Sequence, residues 1–248
     1  MKKIRVFALA ATSLLITGLV APTGAQAQPK LGPNAVPITV DHAFLESNAA
    51  PDYWAYAAFT RPQFTSSACG VASVTAALDG LNGLPKKANE KIPSQQKVLK
   101  TVGDKHWSEI SAEGGDGVKF SELVKYSRMT MKAMGPKGAS VSAYKPASND
   151  AATGAKVREL LAANELTADN VLLVYFNQGV LTGDWNGPHV SPIGAYDAST
   201  DRVLILDVDQ EWYIPYWSPV DALIDAMLKP APKNQGVLAG QTLSLIHI

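Results

Sequence analysis

The sequence predicts an α+β protein, with a helical lobe carrying a reactive thiol followed by a lobe of antiparallel sheet. Three observations carry that expectation. Apolar residues recur at helical spacing after Cys69, after Val118 and after Ala155. The last third changes period, to short branched runs such as VLLVYF at 171–176 and RVLILDV at 202–208. Ala198-Ser199-Thr200-Asp201 is turn chemistry between the last two strands, so they are antiparallel neighbours. Helices first and a sheet afterwards is the order of two packed lobes.

The elements follow in order. Lys2, Lys3 and Arg5 precede an apolar run, Val6 to Val20, and Ala25-Gln26-Ala27 is a small-x-small site. Residues 1–27 therefore read as an export signal cleaved after Ala27, which places the mature protein in the periplasm or outside a bacterial cell. The run is short for a membrane span, no cysteine follows it for lipid attachment, and no membrane association is expected after cleavage. Residues 28–50, with Pro29, Pro33 and Pro37, read as an arm. Pro51 to Phe64 is aromatic-rich, a short helix and an approach loop. Cys69 to Leu81 is a buried helix, with Val71, Val74, Leu78 and Leu81 on its inner stripe. Residues 85–105 read as a solvated helix with Val98 and Leu99 inside. Glu113 to Gly117 is a loop, and Val118 to Met129 is an amphipathic helix facing inward through Phe120, Leu123 and Val124. Residues 135–153 read as loop, Ala155 to Asn164 as helix, and Val171–Phe176, Val190–Tyr196 and Arg202–Val208 as strands. The main domain is thus 51–242. Residues 243–248, LSLIHI, read as the translation of a sequencing-library adapter, which implies a natural chain continuing past Thr242; His247 is left out of site reasoning for that reason.

Composition narrows the function. Hydrophobic residues make up 46% and charged residues 18% of 248, an ordinary globular balance. Lys+Arg and Asp+Glu are both 22, and no basic stripe speaks for nucleic acid or anionic lipid. No His, Cys or carboxylate spacing suits a metal, and no phosphate-binding glycine motif is present. The expected cofactor list is empty. A homodimer is left open.

The chain has one cysteine, where an exported protein normally uses pairs. A lone Cys69 reads either as a small buried apolar residue or as a nucleophile, and its surroundings favour the second. A thiol attacks as thiolate, and Cys69 falls where a loop ends and an apolar helix begins, beside free backbone N–H groups and the positive end of the helix dipole. Gly70 leaves room for a substrate backbone. The Cys69 N–H and the amide of Gln63, six residues upstream, can serve a developing oxyanion. A turn centred on Ala198 pairs residues whose numbers sum to 396, which sets His189 opposite Asp207 on one face of the sheet. Opposite Cβ atoms lie about 4.5–5.5 Å apart, a distance at which a carboxylate can orient an imidazole. His189 then takes the Cys69 proton and returns it to a leaving amine. His42 and His106 read as surface residues.

These residues resemble the phytochelatin synthase family. The similar stretches are Gln63-x5-Cys69-Gly70-Val71-Ala72-Ser73, His189-Val-Ser-Pro192-Ile193-Gly194-x-Tyr196 and Val203-Leu-Ile-Leu-Asp207-Val208. The resemblance runs from about Arg61 to Gly240. It implies a papain-like cysteine proteinase fold with Cys69 as nucleophile, His189 as acid/base, Asp207 as orienter and Gln63 as oxyanion donor. Pro188 and Tyr213, with Gly70, are the expected substrate-binding residues. It also implies that glutathione, a small thiol peptide, is the substrate. Glycine leaves, and a γ-glutamylcysteinyl thioester passes to water or to a second glutathione, with a heavy-metal ion entering only as a thiolate complex of the substrate. Two departures bear on the acceptor. Basic residues of plant members, which help hold the second thiol peptide, are replaced by Gln210 and Trp212. An acidic residue and an arginine further on are replaced by Ala231 and Gln235. The cysteine-rich extension of plant members is absent, as in small bacterial members, which lean towards hydrolysis. Three readings stand: a glutathione-directed cysteine hydrolase with weak transferase activity, a papain-like peptidase on another small periplasmic peptide, and a non-enzymatic thiol- or metal-binding module.

Overall fold

The computed structural model describes residues 30–235, 238 and 244–248. The signal segment lies outside them. Among the described residues, helices dominate the first two thirds, and most strands of a seven-stranded antiparallel sheet lie in the last third; the sheet runs in the order β1 (Val36–Pro37), β6 (Tyr216–Pro219), β5 (Arg202–Ile205), β4 (Pro188–Asp197), β3 (Leu172–Asn177), β7 (Ser244–His247) and β2 (Ser142–Tyr144). The α+β expectation is met. No helix among the described residues is long and apolar enough to cross a membrane.

The centre of the sheet is built from β3 (Leu172–Asn177), β4 (Pro188–Asp197) and β5 (Arg202–Ile205). All of β3 and β4 is buried, which is why they read as continuous apolar runs rather than as alternation. One face carries α3 (Cys69–Asn82) and α6 (Phe120–Met134), with Val71, Val74, Leu78 and Leu123 packed against Tyr175, Val190 and Leu204. The other carries α7 (Ala151–Asn164) and α9 (Val220–Leu228), where Val157, Leu161, Leu223 and Ile224 pack on Leu172, Val174 and Ile205. A hydrogen bond from Ser73 Oγ to the Val190 carbonyl, 2.9 Å, ties α3 to β4 inside the core.

Several local expectations change. Within the polar stretch 85–105 the main helix is α4 (Gln95–Val102), and α5 (Lys105–Ile110) starts at its end; Pro85 and Pro93 keep the preceding residues out of a helix, and Ser94 caps α4 by accepting from the Lys97 N–H. The 135–153 stretch contains β2 (Ser142–Tyr144), and α7 begins at Ala151 because Asp150 accepts from the Thr153 N–H. The arm is part of the fold: β1 (Val36–Pro37) pairs with β6 (Tyr216–Pro219), and α1 (Ala43–Ser47) and then α2 (Pro51–Tyr56) follow. Residues Ser244–His247 form β7 between β3 and β2.

The β4–β5 register also differs from the sum of 396. Asp197 faces Arg202, because the turn holds four residues with Asp201 at φ 54 and Asp197 accepting from the Ser199 N–H at 3.0 Å. A bulge between Ile193 and Ala195 then shifts the ladder so that Ile193 faces Ile205. Gly194 makes the bulge sterically open, since a Cβ there would meet Leu206 Cδ2 at 2.7 Å.

Candidate active site

Cys69 is the first residue of α3. Ala68 precedes it without any side-chain cap, so no side chain competes for the first-turn N–H groups. The approach loop is fixed on both sides: Gln63 N–H donates to Val208 O at 2.8 Å, and Ser67 Oγ donates to Gly115 O at 2.6 Å. Loop and helix start form one wall of a cleft of about 630 Å³, and the start of β4 with the segment after β5 forms the other.

His189 stands on β4, opposite Phe176 of β3, whose ring meets the imidazole edge-on at 5.6 Å. Its Nε2 lies 2.9 Å from Asp207 Oδ1 and 3.1 Å from Ser191 Oγ, which leaves Nδ1 as the nitrogen available to the sulfur. Asp207 is fully buried and fixed by two more donors, Gln178 Nε2 to Oδ2 at 3.0 Å and the Asp209 N–H to Oδ1 at 2.8 Å. Burial by itself favours neutral imidazole, but the charge of Asp207, its hydrogen bond and the Cys69 side chain outweigh it and push the His189 pKa up to about 10. Burial also opposes the Asp207 charge, and His189, Gln178 and the Asp209 N–H reverse that and hold the carboxyl below its usual range. The Asp207 carboxylate thus favours a proton on the imidazole that stands beside the Cys69 side chain.

The cleft brings together Cys69, His189, Gln63, Pro188 and Tyr213. Gln63 Oε1 has no protein partner, so that side of the amide is not committed elsewhere. Asp207 is fully buried and does not line the cleft; its contact with the cleft residues is through His189 and the Asp209 N–H. Gly70 is not on the cleft. It is buried, and a Cβ there would come 2.5 Å from Val118 Cγ1, so the observed reason for a glycine is close packing of α3 on Val118 and Leu123. Gln210 lines the cleft but is tied to Thr60 O at 3.2 Å, and Trp212 stands 59% exposed at its edge. Ala231 is buried and does not line the cleft. His42 and His106 are exposed and sit beside Glu46 and Glu122. Sequence reasoning missed Gln178 and Ser191. Ser191 lies within the HxSPIG run, two residues from His189, whereas no local signal marks Gln178. Among the described residues no group of three or more His, Cys, Asp or Glu is placed to hold a metal ion.

A family model described as phytochelatin synthase matches residues 31–236. Glutathione gamma-glutamylcysteinyltransferase 3 of Lotus japonicus is 39% identical over 90 residues, 36% of this chain and 18% of that protein. Glutathione gamma-glutamylcysteinyltransferase 1 of Arabidopsis thaliana is 24% identical over 191 residues, 74% of this chain and 35% of that protein. The chain thus spans no more than 35% of the length of these two relatives. With a match that covers most of its length, the chain belongs to the phytochelatin synthase family.

Proposed function

We propose that this chain cleaves the Cys–Gly bond of glutathione through a thioester on Cys69 and passes the acyl group mainly to water. The single observation that carries the reading is the meeting of Cys69, at an uncapped helix start, with a buried imidazole held by Asp207 at 2.9 Å. The supporting logic is that of papain-like enzymes, in which a helix start offers the sulfur and a sheet offers the base.

His189 takes the Cys69 proton, and the thiolate attacks the carbonyl carbon of the Cys–Gly amide. The oxyanion formed accepts hydrogen bonds from the Cys69 N–H and the Gln63 amide. As the C–N bond breaks, His189 gives its proton to the leaving nitrogen, and glycine departs. Water then attacks the thioester carbonyl and loses a proton to His189. The C–S bond breaks and restores Cys69, with γ-glutamylcysteine released. A second glutathione could take the place of water through its amine, giving phytochelatin. Gln210 is bound to the main chain and Trp212 is uncharged, so neither offers a cation to the carboxylates of that acceptor. This favours hydrolysis. The reading includes export from the cell and a heavy-metal ion that enters as a substrate thiolate.

The test is incubation of purified protein with glutathione, with and without cadmium, followed by mass spectrometry. Glycine, γ-glutamylcysteine and a thioester on Cys69 are expected, all absent in Cys69→Ala. Wild-type protein that releases no glycine would overturn the reading. The same cleft residues favour a second reading, a peptidase acting on another small peptide, and a peptide panel in which only glutathione is cleaved would exclude it.

A further inference from the structure

The arm sends one side chain to the active-site cleft. Gly32 N–H donates to Thr182 O at 2.5 Å and Asn34 Nδ2 to Val180 O at 3.1 Å, which pins the arm along α8 (Gln178–Thr182). Lys30 thereby reaches the cleft that holds Cys69. Its Nζ lies 3.0 Å from Asp184 Oδ2, 4.6 Å from the centre of the Trp212 ring and 4.7 Å from that of Tyr213. The Tyr213 hydroxyl donates to the same Asp184 oxygen at 3.1 Å. The hydrogen bond from Lys30 comes first among the forces that hold the Asp184 carboxyl below its usual range. A carboxylate beside two aromatic faces is the arrangement that recognises an organic cation.

Three more carboxylates stand in the cleft, beside the Lys30 and His189 side chains. Glu113, Asp209 and Glu211 line it, and none of them forms an ion pair among the described residues. Carboxylates grouped beside partly apolar walls raise the local concentration of an entering cation. The present occupant is weakly held, since the Lys30 and Asp184 side chains are 48% and 43% exposed, and exposed ion pairs contribute little.

We propose that Asp184, Trp212 and Tyr213 form a subsite for a primary ammonium group, filled in this structure by the chain's own Lys30, and that a substrate brings such a group to it by displacing that side chain. The ligand class is a small peptide with a primary ammonium several bonds from the amide that meets Cys69. On the glutathione reading the α-ammonium of the γ-glutamyl residue is that group; the identity of the group rests on that reading, whereas the subsite does not.

The test uses the full chain carrying Cys69→Ala, so that no turnover occurs, and follows the Trp212 indole resonance by NMR. n-Butylammonium chloride is the probe, with sodium chloride at equal ionic strength and 1-butanol as controls. A saturable shift of Trp212 is expected with the ammonium and not with the alcohol. Lys30→Met removes the internal competitor and should tighten the apparent Kd about fivefold or more. Asp184→Asn should weaken it by at least as much. The subsite is refuted by an unmoved Trp212 resonance in Lys30→Met, by an equal response to 1-butanol, or by unchanged affinity in Asp184→Asn. Glycine release by the wild-type protein reads the hydrolase proposal separately. Ammonium binding without glycine release would sink that proposal and leave the subsite standing.

Discussion

His189 Nε2 lies 2.9 Å from Asp207 Oδ1 although strand pairing does not set the two opposite each other. Continuing the Ile193–Ile205 register brings Ser191, not His189, across from Asp207. The contact is a diagonal one, within reach of a side chain as long as histidine. Ser191 Oγ, 3.1 Å from the same Nε2, closes the space beside it.

Asp207→Asn tests that contact without changing its shape. The amide can still meet the imidazole but no longer stabilises the imidazolium, and it permits the wrong tautomer. Turnover of glutathione should fall about 10⁴-fold, the loss for such a substitution in a nucleophile–histidine–aspartate set. A variant keeping a tenth of wild-type glycine release would remove Asp207 from the mechanism.

Gln178 is a positioning residue, since its Nε2 holds Asp207 Oδ2 at 3.0 Å in a fully buried place. Gln178→Leu leaves that oxygen without its donor, a loss of about 1–3 kcal/mol. If the strain is felt by the Asp207–His189 pair, kcat should fall about 10- to 100-fold with little change in KM, and the alkaline limb of the rate profile should move. A merely structural role would lower the melting temperature and leave the pH profile of the surviving enzyme unchanged.

The parts of the fold legible in the sequence are those with long, one-sided or fully buried patterns. The start of α3 at Cys69, the inward residues of α6 and the strands β3, β4 and β5 belong to this group. Short elements were not legible. β1 has two residues and β2 three, too few for a period, and β6 with α9 follows an aromatic stretch that gives no alternation. The His189–Asp207 meeting was anticipated but through the wrong register, because a bulge at a glycine leaves no periodic trace. Gln178 was invisible because its role depends on where β3 delivers it. Gly70 was misread because the sequence cannot say which side of a helix a neighbour will occupy.

Buried carboxyls give the fold an alkaline weakness. Asp52 is fully buried beside Asn164, and burial with the nearby Glu165 charge pushes its pKa up to about 8; burial pushes Glu165 and Asp79 up to about 7. A raised folded-state value means the folded chain keeps a proton that the unfolded chain has lost. The contribution is complete below the ordinary carboxyl range and is lost as pH climbs through about 7 to about 8. Each such group tilts stability by at most about 1.4 kcal/mol per pH unit. Melting temperature should therefore drop between pH 5 and pH 8, and Asp52→Asn should flatten the slope. Parallel curves for the two proteins would show that Asp52 is ionised in the fold.

Gly70→Ala separates packing from substrate contact at the head of α3. The added methyl would sit 2.5 Å from Val118 Cγ1, so helix or side chain must shift, at a cost of about 1–3 kcal/mol. For a domain of this size that is a fall of about 2–12 °C in melting temperature. Because α3 carries Cys69 at its first position, a displaced helix also moves the sulfur relative to His189. Val118→Ala in the same chain removes the obstructing methyl and should restore both melting temperature and glycine release towards the level of Val118→Ala alone. Were Gly70 needed instead to admit a substrate backbone, the double variant would recover its stability and stay inactive. Comparing the melting curve with the rate in the same four proteins decides between the two.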